Sequence, residues 1–482
     1  MLEKEISMLI EYSKTHLLMD ELDSEYAAAR ICRALKIPTV TLVPVQDEEP
    51  EEGVPAIDID GMTSPTALVK PLLSYALENK VVAETELAVL KGEIMDAVML
   101  RPSEINDLFA DTYSVNKQRA FDFLYEYSVK DGYVDLEECA KNDRWEAKEL
   151  KSRIEIIINF MPQATTDKYP ACALCKENEG FKGRANMRTV TTELDGEEWF
   201  FTYSRHQYFD KHGVLTSAEH KPMQSLLDTV KKLGLAADFV GADGFVGVNS
   251  TAAGSGAKNT AHEHFQTGFK STPMFRAEPK HKIKSKEYPY LEINVIGWYS
   301  TVIRVAHSNL EKTAEFVAKF IEAWRGYSDE RVANTGDKNF CNLVCRKVNG
   351  KYTYDIILRS NALKRPRMGA EYEEIKADAL SLTDILGYFV LPNKLSEQLK
   401  QVQLYLDGTT PFDAAALPAQ TKPFAKMIER MLKAQGGTVS KLEAKLNIHD
   451  EVDAACEKIL ASTAIDTASL AAFLDSLDIK EI

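Results

Sequence analysis

Hydrophobic residues in the first third of the chain recur at the spacing of an α-helix. The first such positions are Leu2, Ile6, Leu9 and Ile10. An apolar side chain every three or four residues forms one continuous stripe on a helix. Pro102, followed by polar residues, is typical of a helix start. The acidic, proline-bearing stretch 46–55 interrupts the pattern and predicts an exposed loop. Residues 1–165 are therefore predicted to form a mainly helical N-terminal region.

Short alternating or β-branched stretches, mixed with helical patterns, occupy the middle of the chain. The predicted strands lie within 153–160, 197–217, 291–295, 300–306 and 351–358. The predicted helices cover 226–235 and 311–327. One run of strands and a helix lies on each side of His262, which suggests two similar halves. The helical pattern returns from about residue 378.

These patterns predict an α+β protein in four parts. A helical region over 1–165 precedes two antiparallel sheet-and-helix halves over 166–280 and 281–395, and a helical tail covers 396–482. A chain of 482 residues is longer than one hydrophobic core usually organises, which agrees with a division of this kind.

Composition and charge narrow the class of protein. The formal net charge of -15 argues against a nucleic-acid backbone or an anionic membrane as the partner. No apolar run reaches the roughly 20 residues of a membrane span, and the charged first residues do not form a signal peptide. A cytoplasmic protein is expected. The seven cysteines are an odd, scattered set and do not suggest a disulfide framework.

The motif H-E-H-F-Q over 262–266 carries the most specific chemistry. In an extended segment His262, His264 and Gln266 would line one face, with Glu263 and Phe265 on the other. A neutral imidazole is a nucleophile or a metal ligand, and a glutamine amide can hold a phosphate oxygen without adding charge. The pattern suits transfer of a phosphoryl or nucleotidyl group onto histidine. The alternative is two surface histidines in a loop.

The pair Cys172 and Cys175 is the second candidate site. C-x-x-C in a protein of a reducing compartment is half a metal site, a redox pair or two buried structural thiols. A redox pair would normally open a helix after a strand, whereas the residues from Lys176 to Phe181 resemble a turn. Metal binding is favoured, and the other two interpretations stay open.

Five motifs, taken in order, resemble one known family, the class II galactose-1-phosphate uridylyltransferases of bacteria, in the histidine-triad superfamily. The motifs cover 100–106, 140–145, 172–181, 218–223 and 261–268. The resemblance extends from about residue 20 to 400. It implies that the two halves are histidine-triad-like and that the protein is a homodimer.

The resemblance also implies roles for individual residues. His264 matches the nucleophile that takes a uridylyl group from UDP-glucose and passes it to galactose 1-phosphate, and Gln266 matches the glutamine that holds the transferred phosphate. The positions that bind zinc in related enzymes are matched by Cys172, Cys175, His220 and His262.

Three segments depart from the family pattern. Residues 246–260 lack the string D-L-P-I-V-G-G-T/S, an H-P-A-R segment after Arg184 is missing, and a histidine-rich segment near residue 370 is replaced. Asn186 and Arg188 are the predicted substitutes around the substrate, together with Asn259 in the small-residue loop before the histidines. Two alternatives therefore stay open: the same mechanism with another nucleotide or sugar phosphate, and a non-catalytic protein of this fold.

Overall fold

A computed structural model gives the architecture of the chain. It describes residues 2–45, 58–147, 154–160, 170–269, 271–329, 336–362 and 368–482. The loop predicted over 46–55 lies outside these residues. Helices and strands are mixed, and helices dominate both ends of the chain. The predicted α+β class is thus confirmed.

The N-terminal region is helical, as the periodicity predicts. Its helices are α1 (Glu3–His16), α2 (Ser24–Ala34), α3 (Thr66–Glu78), α4 (Leu87–Ala97), α5 (Pro102–Val115), α6 (Lys117–Lys130) and α7 (Leu136–Ala140). Helix α5 begins at Pro102, because proline suits the first helical position. The Glu104 carboxylate accepts the Arg101 N–H at 2.8 Å and satisfies one of the amides left unpaired at that end.

Eleven strands form one large sheet. They are β3 (Val190–Leu194), β4 (Glu197–Tyr203), β5 (Gly213–Ser217), β6 (Phe245–Val248), β7 (His264–Gly268), β8 (Pro279–Ser285), β9 (Glu292–Ile296), β10 (Thr301–His307), β11 (Asn339–Val348), β12 (Lys351–Ser360) and β14 (Ile479–Glu481). Their spatial order is β14-β8-β9-β10-β12-β11-β6-β7-β5-β4-β3.

The sheet contains two halves with the same strand order. In each half three consecutive strands form a meander, a helix follows, and the last strand of a hairpin returns to pair with the third strand. The helices are α8 (Leu226–Val240) and α9 (Leu310–Gly326). The halves join where β6 pairs antiparallel with β11, at Val248 opposite Leu343.

Both faces of the large sheet are covered. On one face Phe265 and Ile356 belong to the core shared with α8, α9 and most of the N-terminal helices. On the other face Val344 and Ile357 pack into a second core with the C-terminal helices. The side chain of a residue on a central strand therefore points into one of two packed layers.

The second layer is built around a small sheet and the C-terminal helices. Its elements are β1 (Asp143–Glu146), β2 (Glu155–Asn159), α10 (Ala370–Ile375), α11 (Leu382–Ile385), β13 (Tyr388–Pro392), α12 (Lys394–Leu406), α13 (Ala425–Ala434) and α14 (Lys441–Ala461). Helix α15 (Thr467–Ser476) packs in the first core instead, where Phe473 contacts Phe320 of α9. Strand β2 pairs antiparallel with β1 and parallel with β13. It lies within the segment 153–160 that the sequence predicts as a strand.

The C-terminal tail is helical except at its end. Strand β14 adds to the edge of the large sheet, where Ile479 lies opposite Ser285 and is 3% exposed. An added strand covers the unpaired backbone of the edge strand β8. The division into parts at 165, 280 and 395 stays a prediction. None of the described helices is long and apolar enough to cross a membrane.

Candidate active site and metal centre

Four side chains from three separate segments converge beside the first half of the large sheet. Cys172 and Cys175 lie in a turn before β3, His220 follows β5, and His262 precedes β7. One ligand atom from each of the four residues lies within 4.8 Å of the others. The structure thus brings together all four residues that the sequence comparison assigned to zinc.

The distances in this cluster suit a tetrahedral site. The two sulfur atoms are 3.6 Å apart, and His262 Nδ1 lies 3.3 Å from Cys172 Sγ and 3.7 Å from Cys175 Sγ. His220 Nδ1 is 3.2 Å from Cys175 Sγ. A tetrahedral zinc ion with two sulfur and two nitrogen ligands has edges of about 3.4–3.8 Å. The donor set and its spacing therefore fit zinc.

Neighbouring groups hold these ligands in position. His262 Nε2 lies 2.9 Å from the Ser217 carbonyl oxygen. A carbonyl oxygen only accepts, so Nε2 carries the proton and Nδ1 keeps its lone pair for a metal. Burial opposes ionisation of Cys172, but its hydrogen-bonded surroundings, which include the Leu174 N–H donated to Sγ at 3.3 Å, outweigh burial and lower the pKa of this thiol. A thiolate is the form that binds metal.

His264 is the first residue of strand β7 and lies opposite Thr216 of β5. Its side chain is buried, at 8% exposure. Its Nδ1 lies 2.8 Å from the His262 carbonyl oxygen, and must therefore carry the proton. Nε2 is left with its lone pair, and no hydrogen bond to Nε2 occurs within the described part of the chain.

Burial also fixes the charge of this ring. It lowers the pKa of His264 below the ordinary histidine value, and the hydrogen bond to His262 offsets only part of that effect. A neutral imidazole with a single defined tautomer is a ready nucleophile at neutral pH. The geometry therefore leaves Nε2 of His264 as the ring nitrogen with an unused lone pair.

A single residue, His262, connects the cysteine–histidine cluster to His264. The ring of His262 faces the cysteines, whereas its backbone carbonyl holds the ring of His264. Fixing the ring of His262 also fixes its backbone carbonyl, which orients the ring of His264. The prediction of a common strand face is confirmed for His264 and Gln266 only, because β7 begins after His262.

Glu263 and Phe265 lie on the opposite side of this segment. Phe265 is fully buried and its ring stacks on Trp199 at a centroid distance of 4.7 Å. Glu263 is 1% exposed, between Lys221 at 3.6 Å and Lys232 at 3.8 Å. Burial raises the pKa of Glu263 despite the two lysines. These contacts anchor the back of the strand that presents His264.

Gln266 lies two residues beyond His264 on the same strand face. Its Oε1 accepts a hydrogen bond from the hydroxyl of Thr383, in α11, at 3.1 Å. Its backbone lies opposite Gly247 of β6. The glutamine is partly exposed, so its amide nitrogen can reach a ligand placed over His264.

The loop before the motif packs closely against the segment that leads into α11. Gly256 has a φ of +74°, and a Cβ there would lie 2.5 Å from the Leu380 backbone. Only glycine combines that backbone conformation with so close an approach. Close packing against the Leu380 backbone therefore explains the glycine at position 256 in this small-residue loop.

The three predicted substrate contacts lie in different surroundings. Asn186 is buried and donates to the Asp131 carbonyl at 3.1 Å. Arg188 is 2% exposed, and its guanidinium donates to three backbone carbonyls and to Asp96 at 2.8 Å. Asn259 is exposed, and its carbonyl accepts the His262 N–H at 3.1 Å. Their role in binding substrate stays a prediction.

Sequence reasoning did not find the residues that reach the site from the second half and beyond. Thr383 contacts Gln266 although the two residues are 117 positions apart in the sequence. Arg359, at the end of β12, donates to the carbonyls of Gly254 and Ser255 in the loop before the histidines, at 2.9 and 3.1 Å. Neither residue lies in a motif, so no local pattern could have marked it.

Comparison with known proteins gives several bacterial relatives. The chain is 28% identical over 378 residues to a galactose-1-phosphate uridylyltransferase of Fusobacterium nucleatum, covering 71% of this chain and 73% of the relative. It is 29% identical over 389 residues to the protein of that name from Streptococcus thermophilus, covering 74% and 78%.

A third such relative, from Enterococcus faecalis, is 28% identical over 374 residues, covering 71% of this chain and 75% of the relative. No family model and no solved structure matches the chain. The resemblance drawn from the five sequence motifs is confirmed by these relatives. The chain is thus a relative of the bacterial galactose-1-phosphate uridylyltransferases.

Proposed function

We propose that the protein transfers a uridylyl group from UDP-glucose to galactose 1-phosphate through a covalent intermediate on His264. The observation that carries this proposal is the state of the His264 ring. Its Nδ1–H is committed to the His262 carbonyl at 2.8 Å, and Nε2 keeps its lone pair. The names of the relatives supply the substrate class.

In the first half-reaction, Nε2 of His264 attacks the α-phosphorus of UDP-glucose. The N–P bond forms as the bond from that phosphorus to the bridging oxygen breaks. The oxygen keeps the electron pair, and glucose 1-phosphate leaves. The ring becomes positively charged, and the hydrogen bond from Nδ1 to the His262 carbonyl stabilises that charge.

In the second half-reaction, a phosphate oxygen of galactose 1-phosphate attacks the same phosphorus. The P–N bond breaks, UDP-galactose leaves, and the neutral ring is restored, so no proton needs to be gained or lost. The amide of Gln266 is placed to hold a non-bridging oxygen of the transferred phosphate in both steps. Being uncharged, it does so without over-stabilising the intermediate.

The zinc assignment is part of the proposal. Cys172, Cys175, His220 and His262 would hold the ion with four protein ligands, which leaves no open position for substrate. Zinc would thus fix the segment before β7 rather than take part in the transfer. The contacts of His262 support this role, because the same residue orients His264.

Three broader features complete the proposal. The matching strand order of the two halves supports a histidine-triad-like fold for each of them. By resemblance to the family, the active species is a homodimer and acts in the cytoplasm. The net charge of -15 agrees with small-molecule substrates and not with nucleic acid.

The decisive test is to incubate the protein with UDP-glucose alone. The proposal predicts a mass increase of one uridylyl group per chain, with release of one glucose 1-phosphate, before any acceptor is added. Kinetics with both substrates should be ping-pong, because the first product leaves before the acceptor binds. His264→Gly should abolish labelling, and added imidazole should restore part of the transfer.

The matched control is His281→Asn. The His281 ring lies in β8 and contacts Glu481 at 2.7 Å, away from the motif. This variant should label as the wild type does. Labelling that persists in His264→Gly would show that the nucleophile is another residue. Labelling by a different nucleotide sugar, and not by UDP-glucose, would replace the substrate and keep the mechanism.

A further inference from the structure

The side chain of Gln266 is held by one specific partner. The hydroxyl of Thr383 donates to Gln266 Oε1 at 3.1 Å, and Thr383 is 4% exposed. The terminal amide of glutamine rotates about a soft torsion, and its two ends are opposite in character: one accepts and the other donates. A donor fixed on Oε1 therefore turns Nε2 away from α11.

The helix that carries Thr383 is placed by the large sheet. Asn249 Oδ1, just beyond β6, accepts the Leu382 N–H at 2.8 Å and the Asn342 side-chain amide at 2.8 Å. A Cβ at Gly247 would lie 2.4 Å from Leu382 Cδ2. The absence of a side chain at Gly247 thus lets α11 lie directly on the strand next to Gln266.

The start of α11 is fixed by its own cap. Asp384 accepts the Ser381 N–H at 2.8 Å, and its other oxygen accepts from Lys376 at 2.9 Å and from the Val390 N–H at 3.2 Å. Asp384 is fully buried. A short helix held at both sides in this way presents the Thr383 hydroxyl from a constant position.

Arg359 ties the same segment to the loop before the histidines. Its Nη1 donates to the Leu380 carbonyl at 2.9 Å and to the Ser255 carbonyl at 3.1 Å, and its Nη2 donates to the Gly254 carbonyl at 2.9 Å. Arg359 is 2% exposed. The loop before the histidines and the segment that leads into α11 are therefore joined by one buried cation from β12.

We propose that Thr383 is a positioning residue that fixes the amide of Gln266 with Nε2 toward the transferred phosphate. The inference rests on the proposed function, in which the amide of Gln266 holds a non-bridging oxygen of the transferred phosphate. Without the hydroxyl, the amide can turn over and present Oε1 to the phosphate. Gln266 Oε1 and a phosphate oxygen are both acceptors and repel each other. Molecules in which the amide has turned over therefore lack the donor that stabilises the transition state.

The test compares Thr383→Val, which keeps the side-chain shape, with Thr383→Ser, which keeps the hydroxyl. The readout is the single-turnover rate of uridylylation at saturating UDP-glucose. Loss of one neutral hydrogen bond corresponds to a rate decrease of about five- to tenfold in Thr383→Val. Thr383→Ser should stay within about twofold of the wild type, and the zinc content should not change in either variant.

A double-mutant cycle separates positioning from a structural role. Placed in Gln266→Ala, the Thr383→Val change should have no further effect on the rate, because the amide it orients is gone. An equal loss in both backgrounds, or no loss in either, would overturn the inference while the proposed function stands. A wild-type protein that takes up no uridylyl group would instead overturn the proposed function, and this inference with it.

Discussion

Strands β7 and β12 occupy corresponding places in the two halves of the large sheet, yet the same face of each carries different chemistry. Each is the last strand of its half and pairs with the third strand of the meander and with its own hairpin partner. Phe265 and Ile356 point into the same core. By strand alternation, His264 and Asp355 point to the opposite face.

The two polar residues differ in how completely they are satisfied. Asp355 is 0% exposed, its carboxylate contacts Arg304 Nε at 2.6 Å, and its second oxygen lies 3.7 Å from Arg346. His264 uses one nitrogen for the His262 carbonyl and keeps the other. A closed ion pair holds strands together, whereas an atom with an unused lone pair can react.

The shared topology of the two halves does not explain why the histidine motif lies in only one of them. Both halves provide a central strand, a helix behind it and a packed layer in front. The first half adds the cysteine turn and His220 around His262, and the second adds buried polar anchors such as Arg359. Function therefore depends on a few side chains set on a repeated scaffold.

The largest expected effect comes from breaking the proposed zinc site of the first half, formed by Cys172, Cys175, His220 and His262. Cys172→Ser replaces a strong thiolate ligand with a hydroxyl. Binding free energies of structural zinc sites are about 10–16 kcal/mol and are coupled to folding. We expect loss of bound zinc, a marked decrease in thermal stability and loss of labelling, since His262 no longer holds the His264 ring.

Metal analysis and thermal unfolding of the same samples measure this effect. The matched control is Cys139→Ser, because Cys139 lies outside the cluster and its Sγ is 3.5 Å from the Arg205 carbonyl. This variant should keep its zinc. A Cys172→Ser protein with full zinc content and unchanged stability in chelator would show that the four residues are not a metal site.

The next largest effects should differ between the two halves: a loss of stability from a change in β12, and a loss of labelling from a change in β7. Asp355→Asn should lower the free energy of unfolding by about 3 kcal/mol, because it leaves Arg304 and Arg346 without their buried counter-charge. The labelling rate per folded molecule should stay unchanged. His264→Asn should do the reverse, with labelling abolished and stability altered little.

Urea unfolding and single-turnover labelling of both variants test this contrast. The comparison between halves would fail if Asp355→Asn, measured where it is fully folded, labelled as slowly as the histidine variant. In that case the second half would take part in the chemistry and not only in the packing.

The parts of the fold that follow from local patterns were predictable from the sequence. Helices α8 and α9 show clear apolar spacing, and the pairing of β4 with β5 was expected from 197–217. The grouping of Cys172, Cys175, His220 and His262 was predictable as well, because the resemblance to the family implies that these four residues lie together. The helices and the strand pair are encoded within short stretches, and the cluster is encoded by short motifs that match one family pattern.

Other features depend on contacts between distant segments. Strand β6 has only four residues and is not among the predicted strands, and its pairing with β11 joins residues about a hundred positions apart. The hydrogen bond from Thr383 to Gln266 has the same origin. A threonine in a four-residue helix carries no sequence signal until the fold places it.

The smallest expected effect concerns pH, and it refines the contrast between a satisfied and a reactive group. Burial lowers the pKa of His264. An ordinary histidine, with a pKa near 6.5, would be half protonated at about pH 6.5. It would then label at about half the rate that it shows when fully neutral. We expect the rate of labelling by UDP-glucose to change by much less than twofold between about pH 7.5 and 6.5.

The sign of the effect on stability follows from the same shift. As the pH falls through about 6.5 the unfolded chain binds this proton first, so His264 lowers the stability of the folded protein below that pH and has no effect above it.

The rate should be measured in the first half-reaction, with UDP-glucose alone. Galactose 1-phosphate has a phosphate ionisation near pH 6, and this ionisation affects only the half-reaction in which galactose 1-phosphate is the acceptor. Zinc content must be measured at each pH, since protonated thiols release metal. A rate that halves by pH 6.5 with zinc still bound would mean that the ring is not protected by burial, and the nucleophile would then resemble an exposed histidine.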